Sequence, residues 1–240
     1  TGNTRRYSSS LEKITQVVDP RAGEIMFGLN LIVNRGKTIF ICDTSVIEYP
    51  DANQLAEMAK SAARVVRLFG FDPKVAFLSH STFGEPATDR TKRLSDAVKI
   101  LRKEKVDFKF DGEMQPDVAL EELYKELYPF SEIVGNSNVL IRPSQHSAAI
   151  SYKMIKSMSR AKVIGPLLIG LGLPIEIAPL RTSTSEIINL ASIAAYSSDG
   201  PTEEEQITHN RQSCGHHKSG QLFQFQHGDQ PPGTFTSLPT

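Results

Sequence analysis

DGEMQPDVALEELYKELYPFSEIVGNSNVLIRPSQHSAAISYK, residues 111–153, is the stretch from which the fold can be read. A D-G-E loop, Asp111 to Glu113, precedes a helix expected from Pro116 to about Leu127. Gly135-Asn136-Ser137-Asn138 then leads into an apolar strand, Val139 to Arg142. A polar loop, Pro143 to Ser147, opens a helix expected near Ala149–Met158. Open α/β enzymes are built in this order, with loops of ligand-grade side chains following strands and preceding helices.

The same alternation extends outward in both directions. Residues 24–33 and 37–43 are apolar and strand-like, joined by Asn34-Arg35-Gly36, which suggests a hairpin. Leu55, Met58, Ala59, Ala62, Val65, Val66 and Phe69 recur at helical spacing, and Gly70 is a natural stop. A short buried-type strand at 74–79 is followed by the loop HSTFGEP and a helix from about Thr88 to Lys103. Further strands are expected at Val106–Phe110, around Val163–Ile164 and at Ile175–Ala178, with a last helix from about Thr184 to Tyr196. The reading is a three-layer α/β/α domain over residues 1–198, with a mostly parallel sheet and helices on both faces. From Gly200 onward Ala, Val and Met vanish, and Gln, His, Gly, Pro, Ser and Thr dominate. Residues 199–240 therefore read as a low-complexity polar tail, disordered or non-native. Cys214-Gly215-His216-His217 within it lacks a second ligand pair at zinc-type spacing, so no metal site is expected.

Lys+Arg and Asp+Glu both number 27 in 240 residues, so no global field draws the chain toward nucleic acid or lipid. No apolar run approaches the roughly 18 residues that span a bilayer. Two cysteines make no disulfide framework, and a reduced, cytoplasmic setting is expected. The chain begins without methionine and in mid-pattern, as a piece of a longer protein would.

Several loops could carry chemistry. Ser79-His80-Ser81-Thr82-Phe83-Gly84 offers hydroxyls and N–H groups that could cradle a phosphate, or could simply turn the chain. Asp111 and Glu113 could act as ligands or as helix-start charges. Asn136 and Asn138 could bond a ligand or fix a turn. Ser183-Thr184-Ser185-Glu186 fits a capping box, which by itself accounts for Glu186. Lys153, Lys156, Arg160 and Lys162 form either a basic face for a nucleotide phosphate or a solvated helix surface.

Leu78-Ser79-His80-Ser81-Thr82 and the Asn-Val-Leu strand resemble the phosphate acetyl/butyryltransferase family, in which L-S-x-S-T is a hallmark run. Those transferases carry P-D-L-D-A-G-N-x-x-Y-K after that strand. Here Pro143-Ser144-Gln145-His146-Ser147-Ala148-Ala149-Ile150-Ser151-Tyr152-Lys153 keeps only the Tyr-Lys end. They also carry L-S-R-G-C-S-x-x-D-I, whereas Pro179 to Ile187 here has Leu180 where the serine belongs and Glu186 in place of the basic aspartate. Residues 146–154 and 179–187 are closer to the transferase-like C-terminal domain of large bacterial NADP-dependent malic enzymes.

The resemblance implies a phosphate acetyltransferase or isocitrate dehydrogenase-like fold. It also implies a domain that senses acetyl-CoA and assembles into homo-oligomers, within a polypeptide whose missing part decarboxylates malate using NADP and a divalent metal. No cofactor is expected in this part itself, since no G-x-G-x-x-G is present. Alternatives are an active phosphate acyltransferase, with Glu186 as its base, or a purely structural assembly module. The ligand-binding set implied for acetyl-CoA or phosphate is Ser81, Thr82, Asn136, Asn138, His146, Lys153, Lys156 and Arg181, converging at one sheet edge. Neither a nucleic-acid nor a membrane partner is expected.

Overall fold

The computed structural model describes residues 6–180 and 182–198. The expectation of a polar tail beyond residue 198 falls outside these described residues, as do Cys214 and its neighbouring histidines. Among the described residues a six-stranded sheet runs in the order β4-β3-β5-β2-β1-β6. Its strands are β1 (Phe27–Asn34), β2 (Lys37–Cys42), β3 (Lys74–Leu78), β4 (Lys109–Met114), β5 (Val139–Ile141) and β6 (Lys162–Ile169). The four strands from β4 to β2 are parallel, while β1 lies antiparallel between β2 and β6.

Period-two alternation sorts side chains onto two faces, both buried, as expected of a sheet covered on both sides. Phe40, Phe77, Val139 and Ile141 pack beneath α2 (Ala52–Leu68), α3 (Asp89–Glu104) and Leu190 of α6 (Thr184–Ser198). Ile41, Ala76, Leu78 and Leu140 face Val118 and Ala119 of α4 (Pro116–Leu120), and Ala148, Tyr152 and Ile155 of α5 (Gln145–Met158). Asp51 and Gln54 close a capping box at the start of α2, where hydroxyl- or carboxylate-bearing residues satisfy orphan N–H groups.

Five details differ from the sequence expectation, and contacts with other segments account for the first two. The Asp111-Gly112-Glu113 segment is strand rather than loop, because pairing with β3 continues to Leu78 opposite Met114. The register skips Glu113, so a bulge re-aims that side chain. The Pro116–Leu127 helix stops at Leu120, and a 3-10 turn follows at Glu122–Lys125. Gly135 N–H and Ser137 N–H donate to the carbonyls of Val118 and Ala119, so a docking loop takes the acceptors that a longer helix would use.

Ile175–Ala178 is not a strand; Ile177 is buried against Leu168 and Leu171 instead. The short strand expected at 163–164 runs to Ile169, with Gly165 and Pro166 accommodated at a bulge opposite Asn30, a position that tolerates proline in an edge strand. An unforeseen helix, α1 (Tyr7–Thr15), sets Tyr7, Leu11 and Ile14 at i, i+4 and i+7 against Leu168 and Leu171.

Candidate functional site at the carboxyl edge of the sheet

Strands β2 to β6 share one orientation, so the loops that follow them emerge at a common edge, where open α/β sheets take their ligands. After β2 comes Asp43, 2 % exposed. Its Oδ1 accepts from the N–H of Gly28 at 2.7 Å, Ser45 at 2.8 Å and Val46 at 3.2 Å, and its Oδ2 accepts from Val46 and Ile47. Burial raises the carboxyl pKa, and those backbone N–H groups oppose the rise. Asp43 is thus a fixed pin between the β2 loop and the start of β1. A Cβ on Gly28 would lie 2.7 Å from Ser45 Oγ, so the two segments approach more closely than a side chain allows.

The loop after β3 is pinned in the same manner by Glu113, also 2 % exposed. Its Oε1 accepts from Gly84 N–H at 2.6 Å and from Ser81 Oγ at 3.1 Å. Its backbone carbonyl accepts from Phe83 N–H at 2.7 Å. Gly84 has φ +93, a conformation in which glycine is unstrained. The hydroxyl and N–H that could have cradled an external phosphate are therefore already engaged by an internal carboxylate. Beside this loop a depression of about 330 Å3 is lined by Gly84, Thr88, Thr91, Lys92, Ser95 and Glu113. Thr88 and Thr91 cap the start of α3 reciprocally, so its first N–H groups are also partly used.

The loop after β5 carries the opposite charge. Arg142 is 9 % exposed and its Nη1 donates to Ser151 Oγ at 2.6 Å. Its Nε is buried with no acceptor, and among the described residues it forms no ion pair. Burial lowers its pKa to about 10, leaving it a cation at neutral pH. Ser144 then caps α5, accepting from Ser147 N–H at 3.3 Å.

The residues expected to share one site are spread over the molecule. Ser81 and Thr82 lie at the carboxyl edge; Thr82 Oγ1 accepts from Gln115 N–H at 3.2 Å. His146 sits in the first turn of α5, exposed, 3.4 Å from Glu48 and stacked near Tyr49. Asn136 and Asn138 precede β5 and so lie at the opposite, amino edge. Asn138 is committed there: Oδ1 accepts from Lys74 N–H at 2.8 Å, and Nδ2 donates to the Asp72 carbonyl at 2.8 Å. Convergence of both asparagines with Ser81 at one sheet edge is the expectation that this geometry overturns. They precede their strand, and the geometry does not bring them to Ser81.

Lys153 lies over the Tyr152 ring, 5.9 Å from its centroid. Lys156 pairs with Glu186 at 3.6 Å beside edge strand β6, around a small pocket of about 70 Å3 that Leu180 and Thr182 also line. From β3 to β6 is four strand spacings, roughly 19 Å, so Ser81 and Lys156 cannot grip one phosphate. Arg181 lies outside the described residues.

Glu186 is fully occupied. Its Oε2 accepts from Ser183 N–H at 2.8 Å and Ser183 Oγ at 2.9 Å, while Oε1 faces Lys156. The Ser183 backbone N–H, together with Lys156, holds its pKa below the usual range. By contrast, burial raises the pKa of Glu176 to about 8, although its Oε2 accepts from Leu168 N–H at 3.1 Å. Nearby, the Tyr7 hydroxyl is buried, and desolvation pushes its pKa well up, helped by the charges of Glu176 and Asp43.

Asp43 and Arg142 were not foreseen as site residues. Each stands directly after an apolar strand, in Ile41-Cys42-Asp43 and Leu140-Ile141-Arg142, and a charge at a strand's carboxyl end was the available signal.

Residues 1–195 match the family model described as Phosphate acetyl/butaryl transferase. A NADP-dependent malic enzyme of Rhizobium meliloti (strain 1021) is 44% identical over 196 residues, which cover 82% of this chain and 26% of that protein. Phosphate acetyltransferase of Bacillus subtilis (strain 168) is 30% identical over 196 residues, 81% of this chain and 61% of its own length. Among solved structures, EutD phosphotransacetylase from Staphylococcus aureus superposes with a TM-score of 0.74 at 27% identity, covering 82% of this chain and 61% of that one. The chain belongs to the phosphate acetyl/butyryltransferase family. It spans about a quarter of the length of the malic enzyme relative.

Proposed function

We propose that this chain senses acetyl-CoA at the carboxyl edge of its sheet, as a regulatory and self-associating part of an NADP-dependent malic enzyme in a cytoplasmic setting, and does not transfer acyl groups. The observation that carries the reading is the state of Glu186. It is the residue that stands where the family resemblance expects a base. A general base needs a free lone pair aimed at the proton it takes, and a pKa near the working pH. Glu186 instead caps its own helix, pairs with Lys156 and is held in its ionised form. Leu180, where the resemblance expects the thiol-contacting serine, has no hydroxyl to offer. Loss of both groups removes proton acceptance and thiol orientation together.

Decarboxylation of malate would belong to other parts of a longer polypeptide. The described residues do not fit a divalent metal, since no three of His, Cys, Asp and Glu gather to hold one. The sequence has no G-x-G-x-x-G for a nicotinamide cofactor. No helix among the described residues is long and apolar enough to cross a membrane.

The test pairs two measurements on this chain. Acetyl-CoA at 100 times its Kd should stabilise the fold by about 2.7 kcal/mol, a melting-temperature rise of roughly 5–10 °C. Acetyl phosphate and CoA should give no turnover above a blank. Turnover would return the transferase reading, whereas an unmoved melting temperature would leave the assembly reading in front.

A further inference from the structure

We infer that Arg142, oriented by Ser151 at the carboxyl end of central strand β5, is the charged contact of a subsite for a phosphate or phosphate ester. The first ground is a contrast among the arginines. Arg64, Arg67 and Arg102 have side chains 53%, 39% and 61% exposed, yet each meets a carboxylate, at Glu24, Asp107 and Asp111. Arg142 is the buried one, and it meets only a neutral hydroxyl. A guanidinium withdrawn from water without a counter-charge opposes folding, and buried arginines are ordinarily paired.

The second ground is which part of the guanidinium is left over. Nη1 is taken by Ser151 Oγ, and Ser151 Oγ in turn donates to the Ser147 carbonyl at 2.6 Å, which fixes the plane of the head group. Of the two donors without an acceptor among the described residues, Nε is sealed from the surface, so Nη2 is the one left for an outside group. A guanidinium N–H that meets an oxyanion oxygen makes a charge-assisted hydrogen bond, stronger than one to a neutral acceptor. The third ground is position. β5 lies between β3 and β2, where ligands of open α/β sheets settle, and the first turn of α5, with Ser144 and Ser147, begins two residues later. A helix start and hydroxyls suit a group with more acceptor oxygens than a carboxylate has.

This inference shares its edge with the acetyl-CoA reading but stands without it, because the phosphate could be free, carried by an acyl phosphate or part of a CoA thioester. The test follows the arginine Nε–H resonances of isotope-labelled protein. Inorganic phosphate at constant ionic strength and acetyl-CoA are titrated separately, with melting temperatures recorded in parallel. The Arg142 resonance, assigned by its loss in Arg142→Lys, should shift with at least one titrant. Arg142→Met should weaken that titrant at least tenfold while melting no lower than the unsubstituted chain.

A response to phosphate alone supports the subsite and sinks the acetyl-CoA reading. A response to acetyl-CoA that is lost in Arg142→Met supports both. Acetyl-CoA binding retained in Arg142→Met, or an Arg142 resonance that neither titrant moves, overturns the inference. Should Arg142→Met not fold, the resonance of the unsubstituted protein still decides.

Discussion

The loops after β2 and β3 and the loop after β5 emerge at the same sheet edge and are built in opposite ways. The first two close around carboxylates the protein supplies itself, Asp43 and Glu113, each satisfied by hydrogen bonds from the loop it pins. The third presents Arg142, a buried cation whose remaining donors meet no protein acceptor among the described residues. A charge that has been satisfied internally is structural. One that has been desolvated and left unmatched costs stability in the ligand-free chain, and this is the ground for inferring an outside anion there.

The contrast can be broken from the structural side first. Asp43→Ala strands the N–H groups of Gly28, Ser45, Val46 and Ile47, and should cost about 3–5 kcal/mol in urea unfolding. Glu113→Gln retains the shape but weakens the bonds from Gly84 and Ser81, for an expected loss of about 1–2 kcal/mol. Glu186 belongs with the pinned carboxylates, so Ser183→Ala should cost only the cap, about 1 kcal/mol.

Glu176 gives a pH signature. The folded chain holds its proton up to about pH 8, whereas the unfolded chain releases it near 4.5. Between those values the folded state binds more protons, so this group lowers stability as pH rises. Glu176→Gln keeps an acceptor for Leu168 N–H. Its melting temperature should exceed that of the unsubstituted chain at pH 8, and the difference should shrink toward pH 5.

How much of this was legible in the sequence follows from the range of the forces involved. Helices α2 and α3 and strands β3 and β5 could be read because apolar periodicity and stop signals are local; Gly70, at φ +80 just past α2, is an example. The end of α4 could not, since it depends on Gly135 and Ser137 arriving from a loop more than a dozen residues away. The bulge at Glu113 is set by pairing with β3, and so the D-G-E triplet looked like a loop. Asn136 and Asn138 precede β5, so their order along the chain already puts them at the amino edge, and the expectation of one shared edge passes over that order. Ser81 and Thr82 were placed correctly at the carboxyl edge, but the carboxylate that occupies their loop comes from residue 113.

The most direct measurement is the ligand-free melting temperature of Arg142→Met beside that of the unsubstituted chain. Ser151 keeps its bond to the Ser147 carbonyl in this variant, so the substitution removes the unmatched charge and little else. Its melting temperature should equal or exceed that of the parent, as replacement of a poorly compensated buried charge by an apolar side chain allows. A fall of more than about 4 °C, of order 1–2 kcal/mol for a domain of this size, would show that Arg142 holds the fold together like Asp43 and would contradict the account.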